Sequence, residues 1–220
     1  MASQCPLCHS WDVRRIHTSS ERLGNREFFL CSVCDLVHVP VRYHLDHDAE
    51  KARYLLHNND PADPKYRKFL SRLWNVVRAE LSSGAQGLDF GSGPGPALVH
   101  MATEDGFDIL PYDPYFAPDQ SVLESRFDFI TCTETAEHFS SPGTEFKQLH
   151  SLLKAGGILG VMTSMSADWS QFPNWHYNRD PTHIAYYSRR TLEWVSDSLH
   201  MEVDFPTANV AIFRKPSEVR

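Results

Sequence analysis

Three groups of residues in this chain have types and spacings that chemistry demands. The first is Gly87-Leu-Asp-Phe-Gly-Ser-Gly-Pro-Gly95, where glycines at 91, 93 and 95 close an apolar run and Asp89 stands two positions before the first of them. Glycines at alternate positions let a backbone turn tightly and approach a ligand with no Cβ between. A helix starting just beyond such a turn aims free N–H groups at whatever sits there. This is the plan of a nucleotide or nucleoside pocket. A dinucleotide fingerprint would want glycine where Pro96 stands, so the spacing is D-x-G-x-G-x-G instead. Asp113 lies 22 residues beyond Gly91, where a carboxylate can accept both hydroxyls of a ribose.

The second group is Cys5, Cys8, Cys31 and Cys34, two C-x2-C knuckles separated by 22 residues. Two such knuckles supply four thiolates in a tetrahedron, the pattern of a closed structural zinc site. A disulfide reading needs an oxidising compartment, which nothing signals. A zinc ribbon is therefore expected over residues 1–40, with Phe28-Phe-Leu30 as a strand between the knuckles. The third group is Asn174-Trp-His-Tyr-Asn-Arg-Asp-Pro-Thr-His183. His176, Tyr177, Arg179, Asp180 and His183 fall within eight residues, and Trp175, Tyr186 and Tyr187 could wall off water. His176 or His183 is the candidate proton acceptor. Asp180-Pro-Thr-His183 could equally be a turn that clamps the next helix, and either histidine could ligate a metal.

These groups need elements to hold them. Strands are expected at 87–90, 108–112, 127–132 and 158–163, with helices at about 97–104 and 144–153 between them. Lys154-Ala-Gly-Gly157 reads as the stop of the latter helix. Ser188 should cap a helix over 189–199, and two short strands at 202–205 and 210–214 close the chain. An amphipathic helix over 65–81 should pack on the sheet, with Tyr66, Phe69, Leu70, Leu73, Val76, Val77 and Leu81 on one face. Alternation of strands and helices means a doubly wound, mostly parallel α/β sheet whose ligands sit at the carboxyl ends of its strands. Residues 41–64 are rich in His, Asp and Pro and read as a linker able to serve as a lid.

With 220 residues and 41% hydrophobic content, the chain suits one full domain and a small appendage. Met1 to Cys8 lacks an apolar signal region, and no run approaches the roughly 18 apolar residues of a membrane span. A cytoplasmic protein with no membrane partner is expected. Residues 1–80 carry 12 Lys+Arg against 10 Asp+Glu, and residues 81–220 carry 9 against 18. So acidic a second part argues against a long nucleic-acid groove, whose affinity comes from neutralising phosphates.

Asp89-Phe-Gly-Ser-Gly-Pro-Gly95, Asp113, Phe127-Asp-Phe-Ile-Thr-Cys-Thr-Glu-Thr-Ala-Glu-His138 and Leu153-Lys-Ala-Gly-Gly-Ile-Leu-Gly160 together resemble class I S-adenosylmethionine (SAM) dependent methyltransferases. The resemblance covers about residues 60–215 and is closest to the small-molecule branch that includes the ubiquinone-biosynthesis O-methyltransferases. It implies a Rossmann-like methyltransferase fold over 65–220, with SAM held by Asp89, Gly91, Ser92, Gly93, Gly95, Asp113, Pro114, Thr133 and Glu134. It implies a small-molecule acceptor with an oxygen or nitrogen nucleophile, worked on by residues drawn from His138, His176, Tyr177, Asp180 and His183. Glu134-Thr-Ala-Glu-His138 is similar to an E-x-x-E-H that holds a divalent metal in some quinone methyltransferases. Elsewhere in the family that carboxylate binds backbone or the methionine moiety. Only 14 positions separate Asp113 from Phe127, too few for the family's usual helix and third strand, so that strand is expected to be lost. Two other readings are an RNA methyltransferase that grips substrate through the ribbon, and a non-catalytic scaffold with a degenerate fold.

Overall fold

The structure is a computed structural model that describes residues 4–56 and 59–217. Its elements in chain order begin with β1 (Val13–Thr18), β2 (Glu27–Cys31), β3 (Val37–His38), α1 (His47–Tyr54) and α2 (Pro64–Arg78). Then follow β4 (Gln86–Phe90), α3 (Ala97–Glu104), β5 (Asp108–Tyr112), β6 (Phe127–Thr133), α4 (Pro142–Leu152) and β7 (Leu153–Met162). The last third holds β8 (Met165–Ser166), β9 (Ala185–Ser188), α5 (Arg189–Leu199), β10 (Glu202–Thr207) and β11 (Val210–Arg214). The main sheet runs β10-β11-β7-β6-β4-β5. Strands β5, β4, β6 and β7 are parallel, and β11 and β10 add antiparallel at the far edge.

Apolar residues on both faces of β6, β7 and β11 force helices onto both sides. In β11, Val210 and Ile212 join the core under α2 and α3, while Ala211 and Phe213 join the core under α4 and α5, the period of two that a strand imposes. Helix α2 begins where Asp63 accepts a hydrogen bond from the Lys65 amide at 2.8 Å, with Pro64 as first residue. Its buried Leu73 and Val77 lie flat on Gly160 of β7, where a Cβ would come within 2.8 Å of both. Helix α5 starts with a reciprocal capping box between Ser188 and Thr191. The stop expected at Lys154–Gly157 is instead extended chain. Helix α4 ends at Leu152 and runs directly into β7, whose register against β6 shifts between Phe127 and Phe129. As anticipated from the short connection, β5 is the sheet's edge. The chain from Asp113 to Phe127 holds only a bridge from Asp113 to Ala117 and a 3-10 turn at Gln120–Glu124.

The N-terminal knuckles sit on this body. Cys5, Leu7, Cys31, Cys34 and Leu36 are part of the core beneath α4. The Gly143 amide donates to the Pro6 carbonyl, and a Cβ at Gly143 would lie 2.5 Å from the Leu7 oxygen. Strands β1, β2 and β3 form an antiparallel sheet that continues through β9 to β8. Phe28, Leu30, Val37 and Val39 thereby share a core with Phe172, Tyr177, Ile184 and Tyr186. Within the stretch read as a linker, Asp46 caps α1 by accepting from the Ala49 amide at 2.9 Å. No helix among the described residues is long and apolar enough to cross a membrane.

Candidate functional site

A cavity of about 760 Å³ opens at the carboxyl ends of β4, β5 and β6, roofed by residues of α1 and its flanks. That volume suits a small-molecule ligand. Gly91, Ser92, Gly93, Asp113, Pro114, Thr133 and Glu134 line it. Gly91 and Gly93 have φ of +81° and +65°, a region glycine enters without strain. The amides of Gly91 and Ser92 both donate to the Tyr112 carbonyl, at 2.7 and 3.1 Å, which locks the turn onto β5. Asp113 is buried at the end of β5. Its Oδ2 accepts from the Gly93 amide at 3.0 Å, and its Oδ1 accepts from the Tyr115 and Phe116 amides at 2.8 and 3.1 Å.

Two buried hydroxyls on this wall, Ser92 Oγ and Thr133 Oγ1, have no hydrogen-bond partner among the described residues. Buried polar atoms are ordinarily paired, so both fit a site completed by a polar ligand. Glu134 adopts φ +48°, unusual outside glycine, with its amide bonded to the Met162 carbonyl at 2.7 Å. Burial, and then the charge of Glu137, push its carboxyl up to about 9.

Two of the residues expected to hold cofactor do not line the cavity. Asp89 is buried behind it, accepts from Thr131 Oγ1 at 2.7 Å and ties β4 to β6. Burial pushes its carboxyl up to about 7, with the Asp113 charge adding to the effect. A Cβ at Gly95 would fall 1.9 Å from the Asn59 carbonyl oxygen. Glycine there makes room for the chain crossing from α1 to α2.

The same cavity is lined by Glu137, His138 and His183, which cluster together. Glu137 is fully buried and accepts from Thr163 Oγ1 at 2.9 Å and from the Tyr177 hydroxyl. His138 Nδ1 lies 3.0 Å from the Thr182 carbonyl, and His183 Nδ1 lies 2.8 Å from the Tyr177 carbonyl. A carbonyl can only accept, so each neutral ring carries its proton on Nδ1 and a lone pair on Nε2. The two rings are 4.9 Å apart, and Tyr54 of α1 meets His138 edge-on at 5.2 Å. Burial holds His183 below the ordinary histidine range.

The remaining candidates lie differently. His176 is exposed and outside the cavity. Tyr177 is buried behind the wall, where burial and then the nearby carboxylates raise its phenol well above the usual value. Asp180 touches the cavity but is paired with Arg53 of α1 at 2.6 Å. Burial opposes its ionisation, yet hydrogen bonds from Arg53 and Thr182 outweigh that and hold its carboxyl low, which makes it a poor base. One ligand atom each from Glu137, His138 and His183 falls within 4.8 Å of the others. A metal there would compete with Tyr177 and Thr163 for the carboxylate.

The four cysteine sulfurs lie within 4.8 Å of one another, with Cys5 to Cys34 at 3.5 Å and Cys8 to Cys31 at 3.4 Å. A zinc tetrahedron with sulfurs about 2.3 Å from the metal has edges of about 3.8 Å. Burial pushes the Cys8 thiol up, whereas the Cys34 thiol beside Cys5 draws that one down. Four sulfurs this close cannot all ionise without a cation among them, so the donor set fits zinc.

Residues not singled out from the sequence complete the roof. Glu50 of α1 accepts from the Tyr54 hydroxyl at 2.5 Å and from the Tyr115 hydroxyl at 2.7 Å. Tyr115 and Phe116, just beyond Asp113, add aromatic wall to the cofactor side. The signal available was the spacing Glu50 to Tyr54, one helical turn apart, after the capping Asp46.

The family model described as a methyltransferase domain matches residues 40–199. A SAM-dependent methyltransferase from Archaeoglobus fulgidus is 14% identical with a TM-score of 0.52, over 68% of this chain and 94% of that one. An O-methyltransferase family protein from Burkholderia thailandensis is 15% identical with a TM-score of 0.51, over 77% and 64%. A SAM-dependent methyltransferase from Methanosarcina mazei is 14% identical with a TM-score of 0.50, over 65% and 98%. At these identities the likeness speaks for the fold. No curated protein matches the chain in sequence. A glycine turn opening onto Asp113 in a mostly parallel sheet, matched by that family over most of its length, means that this chain belongs to the methyltransferase domain family and is a methyltransferase.

Proposed function

We propose that the chain transfers a methyl group from SAM to a small, uncharged or cationic acceptor bearing an oxygen or nitrogen nucleophile. The observation that carries this is the composition of one cavity. It brings a partnerless Ser92 and Thr133 and the Asp113 carboxylate together with the imidazoles of His138 and His183. When bound, SAM supplies an electrophilic methyl group on its sulfonium. Asp113 would accept from a ribose hydroxyl at its one free lone-pair site, and Ser92 and Thr133 would pair with polar atoms of the same ligand. Tyr115 and Phe116 would cover its base. His138 and His183 each offer Nε2 as the site that takes a proton from the acceptor. Tyr54 and the rest of α1 exclude water, and the chain's main task is to hold two partners in line.

The acceptor's charge follows from the lining. Glu50, Asp113, Glu137 and Glu145 line the cavity beside an Asp180 already paired with Arg53 and a Glu134 kept protonated by burial, and no lysine or arginine lines it among the described residues. A phosphate or carboxylate acceptor would face a field of its own sign, which also weighs against RNA. In this reading residues 1–40 form a structural zinc ribbon on the four cysteines, residues 41–64 form the lid, and residues 65–220 form the catalytic body. Free thiols at the knuckles fit a reducing compartment such as the cytoplasm.

The test is isothermal titration of the purified protein with SAM, with NAD as control. Micromolar SAM binding without NAD binding is expected. Absence of SAM binding would mean that the short chain from Asp113 to Phe127 does not close an adenine site, and would favour a scaffold.

A further inference from the structure

We propose that Arg26, on the N-terminal ribbon, is a positioning residue for the acceptor side of the pocket. The proposal rests on the reading of His138 and His183 as proton acceptors. Arg26 stands immediately before β2, after the turn at Gly24 and Asn25, and its backbone is fixed by two hydrogen bonds with Ser19, at 2.8 and 2.9 Å. Its side chain does not face solvent: the residue is 5% exposed and its guanidinium stands 5.3 Å over the Phe28 ring. Nη2 donates to the carbonyls of Asn178 and Asp180 at 2.5 and 3.0 Å. Nη1 donates to those of Pro181 and His183 at 3.2 and 3.3 Å. Four carbonyls of one irregular stretch, residues 178–183, therefore converge on a single cation.

Burying a guanidinium without a carboxylate is unfavourable unless its N–H groups are saturated by good acceptors. Arg26 makes no ion pair among the described residues, so the loop carbonyls, with the Phe28 ring, are what offset its charge. A loop of this kind has few amide donors of its own to offer its carbonyls. The cation folds the stretch inward and fixes the path of its backbone.

The consequence falls on the two imidazoles. The carbonyls that set their tautomers, Tyr177 and Thr182, lie one residue before the stretch that Arg26 gathers and next to its last residue. If the stretch relaxes, both Nδ1 protons lose their acceptors together. The groups that face His183 are Glu137, His138, Asp180 and Tyr177, all on the catalytic body. Arg26 reaches them only through the backbone. The ribbon thus acts on the active site by holding a loop rather than by touching substrate.

The experiment is nitrogen-15 NMR of the histidine rings in the full-length, zinc-loaded protein and in Arg26→Gln and Arg26→Lys. In the parent protein the resonances of His138 and His183 should show the Nδ1–H tautomer at neutral pH. Arg26→Gln should shift both toward the Nε2–H form favoured in water, and Arg26→Lys should restore part of the Nδ1–H signal. Affinity for S-adenosylhomocysteine should change by less than about threefold, since the glycine turn and Asp113 share no partner with Arg26. Retention of both Nδ1–H signals in Arg26→Gln would overturn the proposal. Should that variant not fold, the parent protein decides: slowly exchanging guanidinium protons on Arg26 support the proposal, and solvent-fast exchange overturns it. The ring tautomers are read without SAM, so failure of SAM binding and failure of this proposal are separate results.

Discussion

Asp113→Asn probes the cofactor wall with the smallest change of shape. The carboxylate has about four lone-pair sites. Three already accept backbone amides: Tyr115 and Phe116 on Oδ1, Gly93 on Oδ2. About one site, on Oδ2, is left for a ribose hydroxyl. Asparagine should keep its carbonyl oxygen where two amides converge, which puts its NH2 against the Gly93 amide. The variant then has neither the Gly93 bond nor the acceptor for ribose. A hydrogen bond to a charged group contributes about 1.5–3 kcal/mol. One such bond lost in the complex corresponds to SAM binding weakened by roughly 10- to 150-fold. The Gly93 bond lost in the free protein should lower stability by a similar amount. Titration calorimetry reads the first and urea unfolding the second. Equal SAM affinity in a variant destabilised as expected would show that ribose does not sit at Asp113.

Two further outcomes follow from the same geometry. Cys31→Ser, or a chelator added to zinc-loaded protein, should loosen residues 165–188 in hydrogen exchange because β3 pairs with β9. It should leave SAM affinity within about threefold, and a large loss of affinity would show that the ribbon shapes the cofactor wall. Glu134 holds its proton to about pH 9 when folded and releases it near its ordinary value, about 4.3, when unfolded. Between those values the folded state binds more protons, so stability falls as pH rises. Glu134→Gln should flatten that fall between about pH 5 and 8, and parallel urea-unfolding curves for the two proteins would count against it.

What could be read from the sequence was local. The glycine turn, Asp113 at a strand end, the Ser188 cap and the two cysteine knuckles each depend on residues near one another, and the structure brings them out where their spacing placed them. What escaped was non-local or featureless in pattern. Helix α1 buries none of its residues outright, so it lacks an apolar stripe. Strand β9 is four buried residues with no alternation, and its partner Val37 lies far upstream of Tyr186. Nothing in the sequence around Arg26 distinguishes it from an exposed turn arginine, because its four acceptors belong to a distant loop. His176 and His183 looked alike in composition. Only the fold turns one inward and leaves the other in water.

The continuity of β3 with β9 also orders events on the ribosome. Val37 waits for Tyr186, so the small sheet at the chain's beginning stays unfinished until nearly all of the protein has been made. Joining such distant segments is slow, since the closure entropy must be met before the contacts form. Meanwhile β3 offers an open edge beside Phe28, Leu30 and Val37, an invitation to pair with another nascent chain. Early capture of zinc by the four cysteines, all of them within the first 34 residues, would hold that edge in a compact form and guard it during synthesis.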